Sequence, residues 1–314
     1  MSVVWILHSY PPVVLGGAEF YVHRINRWLL THGWTVQVYI VPGGHGQGEY
    51  PASFEGVPIQ RIQSCIHLNF PPNTLLCSQL WAAKLARPLV HMKEVRYMEF
   101  VHYVDTMVLS RYPWTMRRDF TMVYNSEDTR ARSLATAPWL SEVPHTIFHP
   151  PVWTVPNIAP RTDPLLYPWI LLVNFSLDKG GDILNTLSEQ DTRTYAAIQG
   201  SHGIQCTPSN HVQCLESTLD MDSVWAKTRI LIVPSKYETW SMVATEAMAR
   251  GIPVVAADHI PALYENCGES AIYVNREAIQ EWLRAFDTIE ASYPSYSQKA
   301  ILQVHDPKIA NLFF

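Results

Sequence analysis

The stretch that decides the fold is Val233–Ala257, which reads VPSKYETWSMVATEAMARGIPVVAA. An apolar strand ends at Pro234, a short polar loop follows, and apolar residues then recur at helical spacing from about Ser241 to Arg250. Gly251 ends this helix, and a second apolar strand follows it directly. A strand–loop–helix–strand unit predicts a parallel sheet with right-handed crossovers. The segment therefore indicates an α/β domain.

Two carboxylates flank the start of this helix. Glu238 lies in the loop and Glu246 lies on the helix, eight residues further on. If both were helical, eight steps would separate them by ~12 Å along the axis. That is too far for the pair of a retaining glycosidase, which needs ~5 Å. The spacing suits the two ends of an elongated ligand, with a helix N-terminus between them that favours an anion. A nucleotide diphosphate sugar has this shape.

The rest of the chain repeats the α/β alternation on both sides of a proline-rich stretch. Its 314 residues are enough for two domains. Val3–His8 and Thr35–Val41 are predicted strands on either side of a helix that ends at Gly33, and Asn73–Ala86 is predicted to be helical. Six prolines lie between residues 150 and 168, a density that neither a helix nor a central strand tolerates. This stretch is therefore predicted to be an interdomain linker. Two α/β domains on a hinge predict a small-molecule site in a cleft between them.

Composition excludes several classes of protein. The chain is 47% apolar and 16% charged, unlike a disordered chain, and it lacks the ~20-residue apolar run of a membrane span. Five cysteines, an odd number, suit reduced thiols, and the start of the chain reads as a strand and not as a signal peptide, so a cytoplasmic location is expected. Residues 1–155 carry 12 Lys and Arg against 10 Asp and Glu, and residues 156–314 carry 11 against 18. The net charge of −5 argues against wholesale nucleic-acid binding.

Several motifs, in order, resemble the retaining GT-B glycosyltransferases of family 4, the glycosyl transferases group 1. The E-x7-E spacing of Glu238 and Glu246, in the context PSxxETW…EAMAxGIPVVA, carries the resemblance most strongly. The other matching motifs are PPVVLGGAE (Pro11–Glu19), FVHYVD (Phe100–Asp105), YNS (Tyr124–Ser126), HPPV (His149–Val152) and LVNFSLDKGGD (Leu172–Asp182). Together they cover nearly the whole chain.

The resemblance implies an α/β GT-B architecture, in which two Rossmann-like domains have parallel sheets that face each other across a cleft. Residues 1–152 would form the N-terminal acceptor-binding domain, and residues 153–168 the proline-rich linker. Residues 169–296 would form the C-terminal domain that binds the nucleotide-sugar donor. Residues 297–314 would form a C-terminal helix that packs back on the N-terminal domain.

The resemblance also implies roles for individual residues. Glu238 would bind hydroxyls of the donor sugar and Glu246 the ribose, while Lys179 would neutralise the diphosphate. Gly16 and Gly17 would donate backbone N–H groups to that diphosphate and stabilise the charge of the leaving nucleotide. His102 would lie near the sugar and the acceptor, and with Glu238 and Lys179 it makes up the expected catalytic set. The remaining expected donor-binding residues are Asn174, Thr239, Trp240, Ser241 and Met242.

The implied function is a retaining, metal-independent hexosyltransferase with no cofactor. It would move a hexose from a nucleotide diphosphate sugar, with a UDP-sugar such as UDP-glucose favoured, to a hydroxyl acceptor: a glycan, a lipid-linked sugar or a modified DNA base. No stable membrane insertion is expected. Two alternatives stay open: a phage-type DNA-modifying glucosyltransferase that acts on a hydroxylated base, and a catalytically silent sugar-nucleotide-binding protein.

Three positions depart from the family pattern, and they motivate the silent alternative. Asn174 occupies the usual place of an arginine, Ser241 that of a glycine, and Pro261 begins a segment that is often GGxxE. Ser241 is still expected to cap the following helix.

Three further patterns have competing interpretations. Asp220-Met221-Asp222 could hold a divalent cation, but helix capping explains it better. His202, Cys206, His211 and Cys214 are zinc-type ligands, but the family that the chain resembles has a variable loop and a strand there, so coincidence explains the series better. Nine basic residues between Lys84 and Arg132, interleaved with aromatic ones, could form a polyanion patch or ordinary helix surface.

Overall fold

The chain folds into two α/β units. The computed structural model describes residues 1–43, 48–93, 95–105, 120–152, 158–200, 203–304 and 307–313. One unit comprises Met1–Pro151 together with Pro307–Phe314, and the other comprises Val152–Asp306. Of the expected linker 153–168, residues 153–157 lie outside the described residues, and Pro164–Leu166 form a 3-10 turn.

The first unit contains an eight-stranded sheet. Its strands are β1 (Ser2–Leu7), β2 (Thr35–Ile40), β3 (Ser53–Phe54), β4 (Val57–Arg61), β5 (Thr74–Gln79), β6 (Arg96–Val101), β7 (Phe120–Tyr124) and β8 (His145–Ile147). Their order is β3-β4-β2-β1-β5-β6-β7-β8. All neighbours are parallel except the short β3–β4 pair. The chain order reverses between β1 and β5, so the carboxyl ends of these two strands flank a topological switch point.

Helices cover both faces of this sheet. The described helices of the first unit are α1 (Gly17–Thr31), α2 (Ala83–Lys93), α3 (Glu127–Thr136) and α10 (Ala310–Phe313). Val4 and Ile6 of β1 belong to the hydrophobic cluster that contains α2, whereas Trp5 contacts Phe100, whose ring lies edge-on to Tyr21 of α1. Because successive residues of a strand point to opposite faces, the unbroken apolar run of β1 can fill both layers.

The second unit contains a fully parallel six-stranded sheet. Its strands are β9 (Trp169–Val173), β10 (Thr194–Ile198), β11 (Val212–Leu215), β12 (Thr228–Val233), β13 (Val254–Ala257) and β14 (Ala271–Val274). Their order is β11-β10-β9-β12-β13-β14, which is the 3-2-1-4-5-6 order of a Rossmann sheet. The switch point lies between β9 and β12, which pair in register at Leu171 and Leu231.

Two hydrophobic clusters lie on the two faces of this sheet. The helices of the unit are α4 (Gly181–Gln190), α5 (Met221–Trp225), α6 (Met242–Met248), α7 (Pro261–Cys267), α8 (Ile279–Ala291) and α9 (Tyr293–Gln303). Ile170 and Leu172 of β9 pack with α4 and α8, whereas Leu171 packs with α6 and α7. The continuous apolar runs of β9 and β12 reflect burial on both sides. Two parallel-sheet α/β domains confirm the predicted fold class.

One prediction of secondary structure was wrong. Asn73–Ala86, expected to be helical, forms the central strand β5, a 3-10 turn at Leu80–Ala82, and only the first residues of α2. The run Leu75-Leu76-Cys77 is buried between β1 and β6. A short buried strand that leads straight into a helix has no polar alternation, so its periodicity does not distinguish it from helix.

The C-terminal segment also differs from expectation. Residues 297–314 do not form a single helix on the first domain: α9 belongs to the second unit, and only residues from Pro307 onward belong to the first. Ser297 fixes α9 there, because its hydroxyl donates to the carbonyl oxygen of Gly251. In the first unit, Phe313 contacts Trp34 with ring centroids 5.7 Å apart.

Candidate functional site

The second unit brings Lys179 and Glu238 together at its switch point. Lys179 lies in the loop after β9 and Glu238 in the loop after β12. The Lys179 Nζ donates to Glu238 Oε1 at 2.6 Å. Carboxyl ends of parallel strands at a switch point are where open α/β sheets bind ligands. Two residues predicted separately from two motifs thus form one ion pair at the expected edge.

Glu238 is held by one of its two carboxylate oxygens. Ser235, which is itself buried, donates its hydroxyl to Glu238 Oε1 at 2.8 Å, so both hydrogen bonds converge on that atom. Neither bond engages Oε2. The carboxylate is therefore fixed in orientation, and its second oxygen can accept a hydrogen bond from a ligand hydroxyl.

A glycine fixes the position of Lys179. Residues Leu177–Lys179 form a 3-10 turn that ends at Gly180, whose φ of 89° lies in the left-handed region. A Cβ on Gly180 would lie 2.5 Å from Pro234 Cγ and 2.6 Å from the Pro234 carbonyl oxygen. The loops after β9 and β12 therefore touch here at a distance that only glycine allows.

Arg276 connects the loop after β12 to the first turn of α4. It follows β14, and its Nε donates to the Pro234 carbonyl oxygen at 2.9 Å. Its Nη2 donates to both carboxylate oxygens of Asp182, at 2.8 and 3.1 Å, in the first turn of α4. Sequence reasoning missed both Arg276 and Ser235. Ser235 follows a strand, which is a weak signal, whereas the partners of Arg276 are too distant along the chain to be inferred.

Ser241 departs from its expected capping role. It occupies the N-cap position of α6, but its side chain makes no capping hydrogen bond, so that prediction was wrong. Its φ is 70°, and its Oγ is buried with no hydrogen-bond partner among the residues that the structure describes. A serine N-cap normally has β-region dihedral angles. The left-handed backbone explains why this hydroxyl does not cap the helix.

The other expected donor-binding residues of this segment differ in exposure. Trp240 and Met242 are buried, whereas Thr239 and Glu246 are partly exposed. Only Glu246 of the two glutamates is helical, because α6 begins at Met242. The separation of ~12 Å along a helix axis, which assumed that both glutamates are helical, therefore does not apply to this pair.

Asn174 directly follows β9 and also has a left-handed φ, of 68°. Its Oδ1 is buried and has no hydrogen-bond partner within the described part of the chain. A Cβ on Gly200 would lie 1.7 Å from that oxygen, so the Asn174 side chain lies against the backbone that follows β10. The residue thus offers a polar group at the carboxyl edge of the sheet.

Burial keeps the Cys267 thiol neutral. Burial raises the pKa of Cys267 to about 12, and the negative charge of Glu238 adds to this shift. Cys267 therefore carries no thiolate at neutral pH and offers no nucleophile. All five cysteines are unpaired in the structure.

The first unit places its candidates at the carboxyl edge of its own sheet. Gly16 is the N-cap of α1 and Gly17 its first residue. The earliest intrahelical bond from the α1 backbone runs from the Phe20 amide to the Gly16 carbonyl oxygen. The amides that precede Phe20 lie in the first turn, where a helix has no intrahelical acceptors.

His102 follows β6 and lies edge-on to Tyr21, with ring centroids 4.7 Å apart. Burial lowers the pKa of His102 from 6.5 to about 3. The imidazole is therefore neutral at physiological pH, so it can donate or accept a hydrogen bond but cannot supply a positive charge.

The competing motifs are largely accounted for by structure. Asp220 is the N-cap of α5 and accepts from the Ser223 amide, which confirms helix capping, and Asp222 pairs with Arg250. His202 of the zinc-like series lies outside the described residues, and among those that are described no three His, Cys, Asp or Glu side chains converge on a metal position.

The basic run from Lys84 to Arg132 is only partly described. Arg111, Arg117 and Arg118 lie outside the described residues. Arg87 is not a surface charge, because it forms two hydrogen bonds to the fully buried Glu99. Arg132 pairs with Asp128 on α3. These contacts favour the structural interpretation for the described part of the run.

Comparisons with known proteins agree with this architecture. Residues 190–291 match the family model described as glycosyl transferases group 1. Sucrose-phosphate synthase of Thermosynechococcus elongatus superposes with a TM-score of 0.73 at 15% identity, covering 96% of this chain and 94% of that one. The HepE protein of Anabaena in complex with UDP-glucose superposes with a TM-score of 0.70 at 13% identity, covering 99% and 97%. No curated protein matches significantly in sequence. Within the described residues, no helix is both long and apolar enough to cross a bilayer.

Proposed function

We propose that this chain, a GT-B protein whose second unit carries the glycosyl transferases group 1 domain, transfers a hexose from a UDP-sugar to a hydroxyl acceptor. The observation that carries the proposal is the Lys179–Glu238 pair at the switch point of the second sheet. A cation and an oriented carboxylate in contact match the two ends of a sugar diphosphate: the lysine suits the phosphates and the carboxylate suits the sugar hydroxyls.

The donor would bind to both members of the Lys179–Glu238 ion pair while the pair itself stays intact. Lys179 Nζ has three N–H donors and uses one on Glu238 Oε1, so its other donors can reach phosphate oxygens. Glu238 Oε2 can accept from a sugar hydroxyl while Oε1 stays with Lys179 and Ser235. The pair would then fix the sugar relative to the diphosphate, which is the geometry that cleavage of the anomeric C–O bond requires.

The choice of uridine rests on the fold relatives. HepE of Anabaena has been solved with UDP-glucose, and an E. coli trehalose-6-phosphate protein, at 12% identity and a TM-score of 0.66 over 99% of this chain and 97% of that one, with UDP-2-fluoro glucose. We therefore take UDP-glucose as the first probe. Retention of the anomeric configuration and independence from metals complete the proposal. We test retention by proton NMR of the product, and metal independence by activity in EDTA.

The reaction would use no protein nucleophile. The acceptor hydroxyl would attack the anomeric carbon on the face that the leaving UDP occupies, and the departing phosphate oxygen would take the proton. Lys179 would stabilise the negative charge that grows on the diphosphate. The roles expected of Gly16 and Gly17 toward the diphosphate, of Glu246 toward the ribose and of His102 near the acceptor stay predictions.

Ligand-induced stabilisation of the full chain tests donor binding. A panel of UDP-, GDP-, ADP- and TDP-glucose is compared by thermal shift, because a ligand at 100 times its Kd adds ~2.7 kcal/mol to the free energy of unfolding. We expect UDP-glucose to give the largest shift. Glu238→Gln should weaken UDP-glucose binding by about 10–100-fold through loss of a charged hydrogen bond, but should leave UDP binding within about threefold.

Two matched controls accompany the test. Glu269→Gln, at an exposed glutamate of the same unit, is the control for Glu238→Gln. Lys299→Met, at an exposed lysine of α9, is the control for Lys179→Met. If no nucleotide sugar raises the melting temperature, the proposal is refuted. If UDP-glucose binds but is neither hydrolysed nor transferred, the chain is the silent sugar-nucleotide binder.

A further inference from the structure

A closed hydrogen-bond network lies directly behind the loop that carries Glu238. Asn266, on α7, donates from Nδ2 to the carbonyl oxygens of Trp240 and Ser241, the latter at 2.9 Å. Its Oδ1 accepts from the Thr245 hydroxyl at 3.0 Å. That hydroxyl accepts in turn from the Trp240 indole Nε1 at 3.1 Å. All four residues are buried.

The network fixes the amide of Asn266 in one orientation. Its two N–H donors face two carbonyl oxygens, and its oxygen faces a hydroxyl. A flipped amide would place an oxygen against two carbonyl oxygens and lose both bonds. Every donor and acceptor of the carboxamide that faces the loop is therefore used, which is the condition under which a buried polar network favours a single conformation.

The conformation held in this way is one that serine does not prefer. Ser241 has a φ of 70° and a ψ of 81°, in the left-handed region where a Cβ is unfavourable. Its own side chain does not stabilise this geometry, because it neither caps α6 nor bonds elsewhere in the described residues. The two bonds from Asn266 to the Trp240 and Ser241 carbonyls flank this strained residue and offset its cost.

We propose that Asn266 is a positioning residue of the donor site: its carboxamide holds the turn Trp240–Ser241 so that Glu238, three residues before Ser241, meets the donor sugar in a fixed orientation. Asn266 does not touch the donor and acts through the loop backbone. The effect on donor binding rests on the proposed function, whereas the effect on the loop conformation does not.

A double-mutant cycle between Asn266 and Ser241 tests the proposal. Asn266→Ala removes the bonds to the loop. Ser241→Gly removes the steric cost of positive φ, because glycine populates that region freely. We expect Asn266→Ala to raise the KM for UDP-glucose about tenfold with a smaller change in kcat. In the Ser241→Gly background the same change should raise KM only about two- to threefold, so the two sites are coupled.

A second readout does not depend on any ligand. Hydrogen–deuterium exchange of peptides covering residues 236–245 should be faster in Asn266→Ala and should return toward wild type in the Ser241→Gly/Asn266→Ala double variant. Gln303→Ala is the matched control. Gln303 donates to the main-chain oxygen of Asn266, so this variant disturbs α7 without touching the bonds to the loop. Its exchange over residues 236–245 should match wild type.

The outcomes separate the two proposals. If wild type binds no UDP-glucose, the proposed function fails, and the exchange data alone decide the role of Asn266. If Asn266→Ala exchanges like wild type over residues 236–245, Asn266 does not position the loop. If Asn266→Ala is no more harmful in the serine background than in the glycine background, in KM and in exchange alike, the coupling to Ser241 is absent and the proposal is wrong. Asn266→Leu, which is close to asparagine in shape and has no side-chain donors or acceptors, distinguishes lost hydrogen bonds from a cavity, since it should behave like Asn266→Ala.

Discussion

Replacing His102 by phenylalanine is expected to remove a pH dependence from the stability of the first unit. Burial lowers the pKa of this imidazole from 6.5 to about 3 in the folded protein. Below pH 6.5 the unfolded chain therefore binds a proton that the folded chain does not, so stability falls as pH falls. The loss is about 1.4 kcal/mol per pH unit, or about 2 kcal/mol at pH 5 relative to pH 7.5.

The assay is urea unfolding of the full chain at pH 5, 6 and 7.5, followed by tryptophan fluorescence. Phenylalanine keeps an aromatic ring edge-on to Tyr21, so packing changes little between the two proteins. Burial also lowers the pKa of His23, and this contribution is common to both proteins and cancels in the comparison. Wild type should lose about 2 kcal/mol more than His102→Phe between pH 7.5 and pH 5. If the variant loses stability as steeply as wild type, the pKa of His102 is not lowered in the folded protein and the reasoning is wrong.

Two further predictions concern contacts that hold the second unit together. Gly180→Ala should destabilise by about 2–4 kcal/mol in denaturant unfolding, because its new Cβ would meet Pro234 at 2.5 Å. Gly203→Ala, at nearly the same φ but 3.3 Å from its nearest neighbour, should cost less, and equal costs would contradict the clash. Arg161 donates to three backbone carbonyl oxygens, so Arg161→Met should lower the free energy of unfolding by about 3 kcal/mol. Arg284→Met, at an exposed position, should change the free energy of unfolding by less than about 0.5 kcal/mol. Equal destabilisation by the two arginine variants would show that the three hydrogen bonds of Arg161 do not stabilise the unit.

The fold was predictable wherever local pattern and tertiary environment agree. The strand–loop–helix–strand unit β12–α6–β13 has an apolar run, a turn and a helical period in succession, and its prediction was close to the observed boundaries. The central strand β5 was assigned as helix because both faces are buried and a helix follows at once. The strand β11 was missed because it lies at the sheet edge, with only Val212 buried in its four residues.

Of the candidate site, only the motif-bearing residues were predicted from the sequence. Lys179 and Glu238 were identified on separate motifs, and the structure joins them in one ion pair. Ser235, Asn266 and Arg276 were not identified, because their importance arises from partners distant in sequence or from the loop backbone. Asn266 contacts the carbonyl oxygens of residues 25 and 26 positions earlier, and no local pattern reports such a bond.

The assignment of residues from Pro307 onward to the first unit has a consequence for how the protein is made. The ribosome synthesises Phe313 only after every residue of the second unit, yet Phe313 packs against Trp34. Domains usually fold as units during synthesis, amino-terminal first, at about 5–20 residues per second. Here the first unit waits roughly 8–30 s, at that rate, between the emergence of Pro151 and that of Phe313. During this interval Trp34 of the nascent first unit lacks the Phe313 ring against which it packs in the folded protein.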